Sequence, residues 1–112
     1  MIEALWSAEF IDPNNQMFGS GIVVFENGKV LGGDSAFTLV GSYFIKDGIG
    51  HATIRVKRYS NTINMQSISG LDDYVLDATG KIDRDHMIFS GTSKSIPEFK
   101  LKIDMVRRAE LP

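Results

Sequence analysis

Phe99-Lys100-Leu101-Lys102-Ile103-Asp104-Met105 alternates apolar and charged side chains without interruption. Successive side chains of a β-strand point to opposite faces, so this period of two places one set on a core and the other in water. The same alternation runs through residues 51–57 and 74–81. No stretch long enough for a helix has apolar residues at i, i+3, i+4 and i+7 without an intervening glycine. These patterns predict an all-β protein built from half-buried antiparallel strands.

Tight turns divide the chain into strands. Asn27-Gly28 best tolerates the positive φ values of a type I′ hairpin turn, and Lys46-Asp47-Gly48 and Asp83-Arg84-Asp85 predict two further turns. Residues 12–16 predict a longer polar loop, whereas residues 60–71 fit a loop, a short strand or one helical turn. The strands predicted between these points lie near residues 2–11, 18–26, 29–34, 36–45, 49–59, 72–82, 86–92 and 98–109.

Eight consecutive strands in a chain of this length can close into a barrel, which removes exposed sheet edges. A two-sheet sandwich is the alternative. The meander order favours the barrel, as do the 11 glycines, because curved sheets need such residues at bends. The prolines lie outside the predicted strands, at Pro13, Pro97 and Pro112. The sequence therefore predicts one domain, residues 1–112, folded as an eight-stranded antiparallel up-and-down β-barrel.

The N-terminal half carries apolar residues on both faces of its strands. Residues 21–25 read Gly-Ile-Val-Val-Phe, and within residues 37–45 Val40 and Phe44 oppose the other apolar side chains. A small barrel has one interior, so half of these side chains must point outwards, and contiguous outward apolar residues typically form an association surface. We therefore predict an interface that includes Val40 and Phe44, most simply in an isologous homodimer.

Charge and composition exclude several classes of function. The 112 residues carry 12 basic and 14 acidic side chains, a net charge of −2, so the sequence predicts no direct binding to nucleic acid. No apolar stretch approaches the length of a membrane-spanning helix. The chain has no cysteine, which excludes disulfides and thiol catalysis and is compatible with a cytoplasmic location.

Motifs for catalysis or metal binding are missing from the sequence. Its two histidines, His51 and His86, do not form a His-x-His or His-x-x-x-His pair, and no dense carboxylate loop is present. No Gly-x-Ser-x-Gly elbow and no phosphate-binding loop occur. We expect a protein that is not an enzyme and has no metal or cofactor.

Four parts of the sequence stand out together: Gly19-Ser20-Gly21, Asn27 to Asp34, Gly41 and Val56-Lys57-Arg58-Tyr59. In order and spacing they resemble the GrlR family of bacterial negative regulators of type III secretion gene expression. The resemblance spans roughly residues 3–109. It implies a lipocalin-like β-barrel, usually dimeric, with an apolar interior cavity, that acts by binding a transcriptional activator rather than DNA. The loop at Ile45-Lys46-Asp47-Gly48 lacks the acidic run with which the family's regulator contacts its partner.

The matched positions also have a physical interpretation. Gly32 and Gly33 predict a sharp bend or bulge between the third and fourth strands. Asp34 is well placed to accept backbone N–H bonds at that turn. We expect Arg58-Tyr59, at a strand end, to pair with an acid such as Asp34 across the rim of the barrel.

Two functions from different classes follow. The first is a non-enzymatic regulatory protein that acts through protein contact as a homodimer. The alternative is a carrier or sensor of a small apolar ligand held in the barrel, and a cavity of a few hundred cubic ångströms would favour it. The residues predicted to line that cavity are Trp6, Ala52, Ile54, Val56, Tyr74, Leu76, Phe99, Leu101, Ile103 and Met105.

Overall fold

The computed structural model describes residues 2–61 and 70–112, so most of the segment whose conformation the sequence left open (60–71) lies outside the described residues. The described part is all-β, as predicted, and each strand begins and ends within two residues of its expected position. The strands are β1 (Ala4–Ile11), β2 (Met17–Glu26), β3 (Lys29–Gly33), β4 (Phe37–Lys46), β5 (Ile49–Arg58), β6 (Asp73–Lys81), β7 (His86–Ser93) and β8 (Ile96–Ala109).

Every strand pairs antiparallel with the next one along the chain, and β1 also pairs with β8. The last pairing closes the sheet into a barrel; Phe10 of β1, for example, lies opposite Ile103 of β8. Closure pairs both edges that a meander of this kind would otherwise expose. The barrel predicted from the sequence is confirmed, and the sandwich alternative is wrong.

The predicted turns are also confirmed. Asn27 and Gly28 have φ values of 52° and 76°, and Asp47 and Gly48 have 53° and 77°, so both hairpins have the two positive φ values of a type I′ turn. In the third turn, the side chain of Asp83 accepts the backbone N–H of the residue two positions later at 3.0 Å. Asparagine, aspartate and glycine adopt positive φ values at low cost. The resulting two-residue turns fix the register of the strands that they join.

Alternate residues of each strand fill the interior. Trp6 is fully buried, donates its indole N–H to the carbonyl of Ile2 at 2.8 Å and packs edge-on against Phe25, with ring centroids 6.4 Å apart. The hydrogen bond satisfies the one polar atom of the largest core side chain. Other buried members of the core include Ala8, Val23, Val30, Leu39, Ala78, Met87 and Phe89.

The proline predicted to precede the last strand lies inside it. β8 begins at Ile96, so Pro97 is its second residue, and Glu98 follows with a φ of 68°. The pairing of β7 with β8 shifts between Thr92 and Ser93, next to this point. Proline donates no backbone N–H, and a residue with positive φ disturbs regular pairing. A strand tolerates both where its pairing is already irregular. The irregularity therefore explains why the boundary prediction was wrong here.

Gly32 and Gly33 do not form the predicted bulge, because the pairings of β3 with both neighbours run through them without a shift. Close approach of neighbouring backbone, and not a bulge, explains why glycine is needed in these strands. A Cβ atom on Gly32 would collide with the backbone carbonyl of Ile22, and one on Gly41 with that of Thr53. Strands approach closely where the barrel wall curves strongly, and only glycine fits between them.

We expect Gly32→Ala to lower the free energy of unfolding by about 3 kcal/mol, because the added methyl group meets backbone that cannot move independently of the sheet. Chemical denaturation of the two proteins measures this difference. Ser42→Ala, at an exposed position on β4, is the matched control and should change stability by less than about 0.5 kcal/mol. Equal stability of Gly32→Ala and the parent protein would show that the close approach at β3 is not a constraint.

Candidate functional site

The residues predicted to line a cavity do face the interior. Nine of the ten are buried, and the tenth, Phe99, is partly buried and packs edge-on against Tyr74 with ring centroids 5.9 Å apart. Their inward direction follows from the alternation that the sequence displays. The buried nine are Trp6, Ala52, Ile54, Val56, Tyr74, Leu76, Leu101, Ile103 and Met105.

The enclosed space at the centre of the described barrel is very small. Its volume is about 20 Å³, close to that of a single water molecule. Ala52, Ile54, Leu76, Ile103 and Met105 line it, as predicted, and the other residues predicted to line it lie elsewhere in the core. Neighbours that the prediction missed complete the lining: Phe10, Val23, Phe25, Leu39, Ala78 and Phe89.

An apolar ligand of ordinary size does not fit this space, since ligand sites usually measure 300–1,000 Å³. The missed aromatic rings explain the difference. Phe25 and Phe89 line the cavity beside Ala52 and Ala78, and the Phe89 ring occupies the space that side chains at Gly50 and Gly80 would need. Phe25 was hard to assign from the sequence because its strand is apolar on both faces.

The outer surface carries a continuous apolar row across four strands. Leu5 pairs with Val24, Val24 with Leu31, and Leu31 with Val40, so the four side chains lie side by side on the outside of β1, β2, β3 and β4. Leu31 is 47% exposed and Val40 is 52% exposed. Ile22, two residues from Val24 on the same face, is exposed as well. We call these five residues the outer row.

Charged and small residues flank the outer row in complementary positions. Towards the Asn27-Gly28 turn, Glu26 of β2 pairs with Lys29 of β3. Towards the other end, Ile22 of β2 pairs with Gly33, which presents no side chain. The outer surface of β2 and β3 therefore places acid beside base at one end and an exposed apolar side chain beside a glycine at the other.

The two predicted interface residues both point outwards, but only one belongs to the outer row. Phe44 lies four residues beyond Val40 on β4, is 60% exposed, and stacks on the ring of His51 with centroids 4.8 Å apart. Sequence periodicity found the outward direction of both residues. The lateral neighbours of Val40 depend on strand register, which periodicity alone does not supply.

Asp34 has the role expected at the turn into β4. Its carboxylate accepts the backbone N–H groups of Ala36 and Phe37, each at 2.8 Å. The Tyr59 hydroxyl donates to the backbone carbonyl of Asp34 at 2.6 Å. Asp34 and Tyr59, two residues of the segments that carry the family resemblance, therefore stabilise the turn into β4 at one end of the barrel.

Arg58 pairs with an acid, as predicted, but this acid is Asp72 and not Asp34. Arg58 donates to Asp72 at 2.8 Å and to the backbone carbonyl of Ser60 at 3.1 Å. Its guanidinium also lies 4.5 Å from the centroid of the Phe37 ring. Arg58 is paired with the carboxylate at the start of β6 because β6 returns alongside β5, whereas the Asp34 carboxylate is occupied by backbone donors.

The resolved pKa shifts have structural causes. A hydrogen bond from Arg55 lowers the pKa of Asp73, and the backbone N–H of Asp85 lowers the pKa of Asp83. Partial burial raises the pKa of Tyr43. Each shift reflects a surface ion pair, a turn or core packing. Among residues 2–61 and 70–112, these shifts therefore identify no acid–base pair of the kind that catalysis uses.

No group of three or more potential metal ligands occurs in the described part of the chain. His51 stacks on Phe44, and His86 lies 2.6 Å from Asp104. No helix among the described residues is long and apolar enough to cross a membrane. The outer row is a contiguous apolar feature on the outside of β1 to β4.

We expect Arg58→Ala to lower the melting temperature by about 5 °C, because Arg58 is only 14% exposed and joins Phe37, Ser60 and Asp72. Asp72 is 72% exposed, so Asp72→Asn, which removes only the charge, should shift the midpoint by less than about 2 °C. Thermal melts followed by circular dichroism measure both. Equal effects of the two substitutions would mean that the ion pair, not packing on Phe37, dominates.

No protein-family model matches this sequence, and no curated protein shows significant similarity to it.

Proposed function

We propose that this protein is a non-enzymatic regulatory protein that acts through protein contact and forms a homodimer through the outer row. The observation that carries the proposal is the continuous line of Leu5, Val24, Leu31 and Val40 on the outside of a barrel whose described core is filled. Contiguous exposed apolar residues usually mark an association surface in a soluble protein. The filled core favours contact through the outside over storage of a ligand inside.

A second copy of the chain complements this surface. A two-fold axis parallel to the strands, between β2 and β3, places each β2 residue opposite the β3 residue with which it pairs in its own chain. Val24 then meets the partner's Leu31, Glu26 meets the partner's Lys29, and Ile22 meets the partner's Gly33. The first contact is apolar, the second joins opposite charges, and at the third no side chain opposes Ile22.

The other simple arrangement is unfavourable. A two-fold axis perpendicular to the strands, through Val24 and Leu31, would place Glu26 against the partner's Ile22 and Lys29 against the partner's Gly33. Burying charged groups without partners costs several kcal/mol. The pattern of charges therefore selects the axis parallel to the strands.

The regulatory part of the proposal comes from the resemblance to the GrlR family. We propose a cytoplasmic protein whose dimer binds another protein, such as a transcriptional activator, and does not bind nucleic acid directly. The net charge of −2 supports contact with protein rather than with a phosphate backbone. The Lys46-Asp47-Gly48 hairpin carries one acid and one base, so we propose that the partner contact does not use the loop that is acidic in the family.

Leu31→Lys and Val40→Lys should each convert the dimer into a monomer, because a charge would be buried at the centre of the contact. Size-exclusion chromatography with light scattering at high micromolar concentration measures the mass. Ile88→Lys is the matched control, since Ile88 is 46% exposed on β7, on the opposite side of the barrel, and Leu31 is 47% exposed. Phe44→Lys, outside the outer row, should weaken association less. A monomeric parent protein, or a monomeric Ile88→Lys variant, would contradict the proposal.

Glu26→Lys and Lys29→Glu should each weaken the homodimer by about tenfold, because like charges then meet across the axis. An equimolar mixture of the two variants should form a heterodimer tighter than either homodimer, since opposite charges face each other at both contacts. Repulsion within each chain is the same in the mixture, so this gain isolates the intermolecular effect. Native mass spectrometry measures the species. A statistical mixture of homodimers and heterodimers would place the axis elsewhere.

A further inference from the structure

An open groove of about 470 Å³ lies between the loop at residues 12–16 and the outer faces of β7 and β8. This volume falls within the range of small-molecule sites. β8 is next to β1 in the closed ring, but Lys102 pairs with Ile11 whereas Leu5 of the outer row pairs with Ala109, so the groove lies seven residues away from the outer row along β8. It is therefore separate from the proposed dimer contact.

Two lysines and two hydroxyl residues form a compact array on the floor of the groove. Ser90 pairs with Lys102, and Thr92 pairs with Lys100, across β7 and β8. All four lie on the outward side of their strands, because the residues between them are buried. Directly paired side chains on one face are about 5 Å apart and those two residues apart on a strand about 7 Å, so one small group can contact several of them.

These side chains have no partners within residues 2–61 and 70–112. Ser90, Thr92, Lys100 and Lys102 make no side-chain hydrogen bond and no ion pair there, and Glu98, two residues before Lys100, does not pair with it. The positive charge of the two ammonium groups is therefore not neutralised by a contact within the described chain.

Three carboxylates near the array contact other groups. Asp12, on the loop that borders the groove, accepts two backbone N–H groups of that loop, both at 2.9 Å. Asp77 accepts the hydroxyl of Thr53 at 3.2 Å. Asp104 lies 2.6 Å from the ring nitrogen of His86. Each of these three carboxylates therefore has a partner other than the two lysines.

We propose that this groove binds a small phosphorylated molecule, with its phosphoryl group on Lys100, Lys102, Ser90 and Thr92. A phosphate monoester carries nearly two negative charges and three strong acceptor oxygens, which match two ammonium groups and two hydroxyl donors. A carboxylate offers one charge and two oxygens and leaves part of the array unmatched. The groove is larger than a phosphate, so the rest of the ligand lies towards Pro13.

Titration of ¹⁵N-labelled protein with ribose 5-phosphate, inorganic phosphate and succinate at constant ionic strength tests this proposal. Ribose 5-phosphate should produce saturable shifts in the backbone amides of residues 90–92 and 100–102. Inorganic phosphate should shift the same amides with lower affinity, because it contacts only the array. Succinate should bind more weakly than ribose 5-phosphate, because its carboxylates match fewer donors.

The double variant Lys100→Gln, Lys102→Gln should bind ribose 5-phosphate at least about tenfold more weakly, since two charge-assisted contacts are lost. The variant Lys46→Gln, Lys81→Gln makes the same change of net charge at exposed positions near the other end of the barrel and should bind like the parent protein. The proposal is overturned by the absence of saturable shifts with both phosphate probes, by an equal loss in both variants, or by succinate binding as tightly as ribose 5-phosphate. Since the outer row is intact in both variants, their dimerisation is measured separately and its outcome does not affect this result.

Discussion

The alternation of side chains in a closed sheet is the constraint on which this structure depends. Once β1 pairs with β8, every strand has one face towards a narrow interior and one face towards solvent. The interior accepts a fixed volume, which Trp6, Phe25 and Phe89 largely fill. Apolar residues beyond that volume have no place inside. The outer row is thus a direct consequence of closure acting on strands that are apolar on both faces.

Periodicity and turn chemistry predict most of the fold because both are local. Residues 99–105 alternate on one strand, and Asn27-Gly28 can adopt two positive φ values without help from distant residues. Non-local features were not predictable in the same way. The ion pair of Arg58 with Asp72 requires β6 to return alongside β5, and the glycine at position 32 is required by a carbonyl group on β2.

The candidate surface shows the same division. The alternation in the sequence of β4 indicates that Val40 points away from Phe37 and Leu39, and the structure shows Val40 exposed and these two residues buried. The alternation does not indicate that Leu31 and Val24 lie beside Val40, since that depends on the register of three strands. The type I′ turn at Asn27-Gly28 sets the register between β2 and β3, and with it the pairing of Glu26 with Lys29. A two-residue turn therefore determines the complementarity of the proposed dimer.

A filled core also limits how the two sides of the barrel can influence each other. The outer row on β1 to β4 and the groove on β7 and β8 surround one packed core, which includes Phe25 and Phe89 and leaves a cavity of about 20 Å³. Close-packed interiors move between discrete arrangements rather than deforming continuously, and coupling between sites needs a bistable element. The closed ring of paired strands offers none among the described residues. We therefore expect the free energies of dimerisation and of binding in the groove to be independent of each other. A ligand on Lys100 and Lys102 would then change the surface that the dimer presents to a partner, but not the dissociation constant of the dimer.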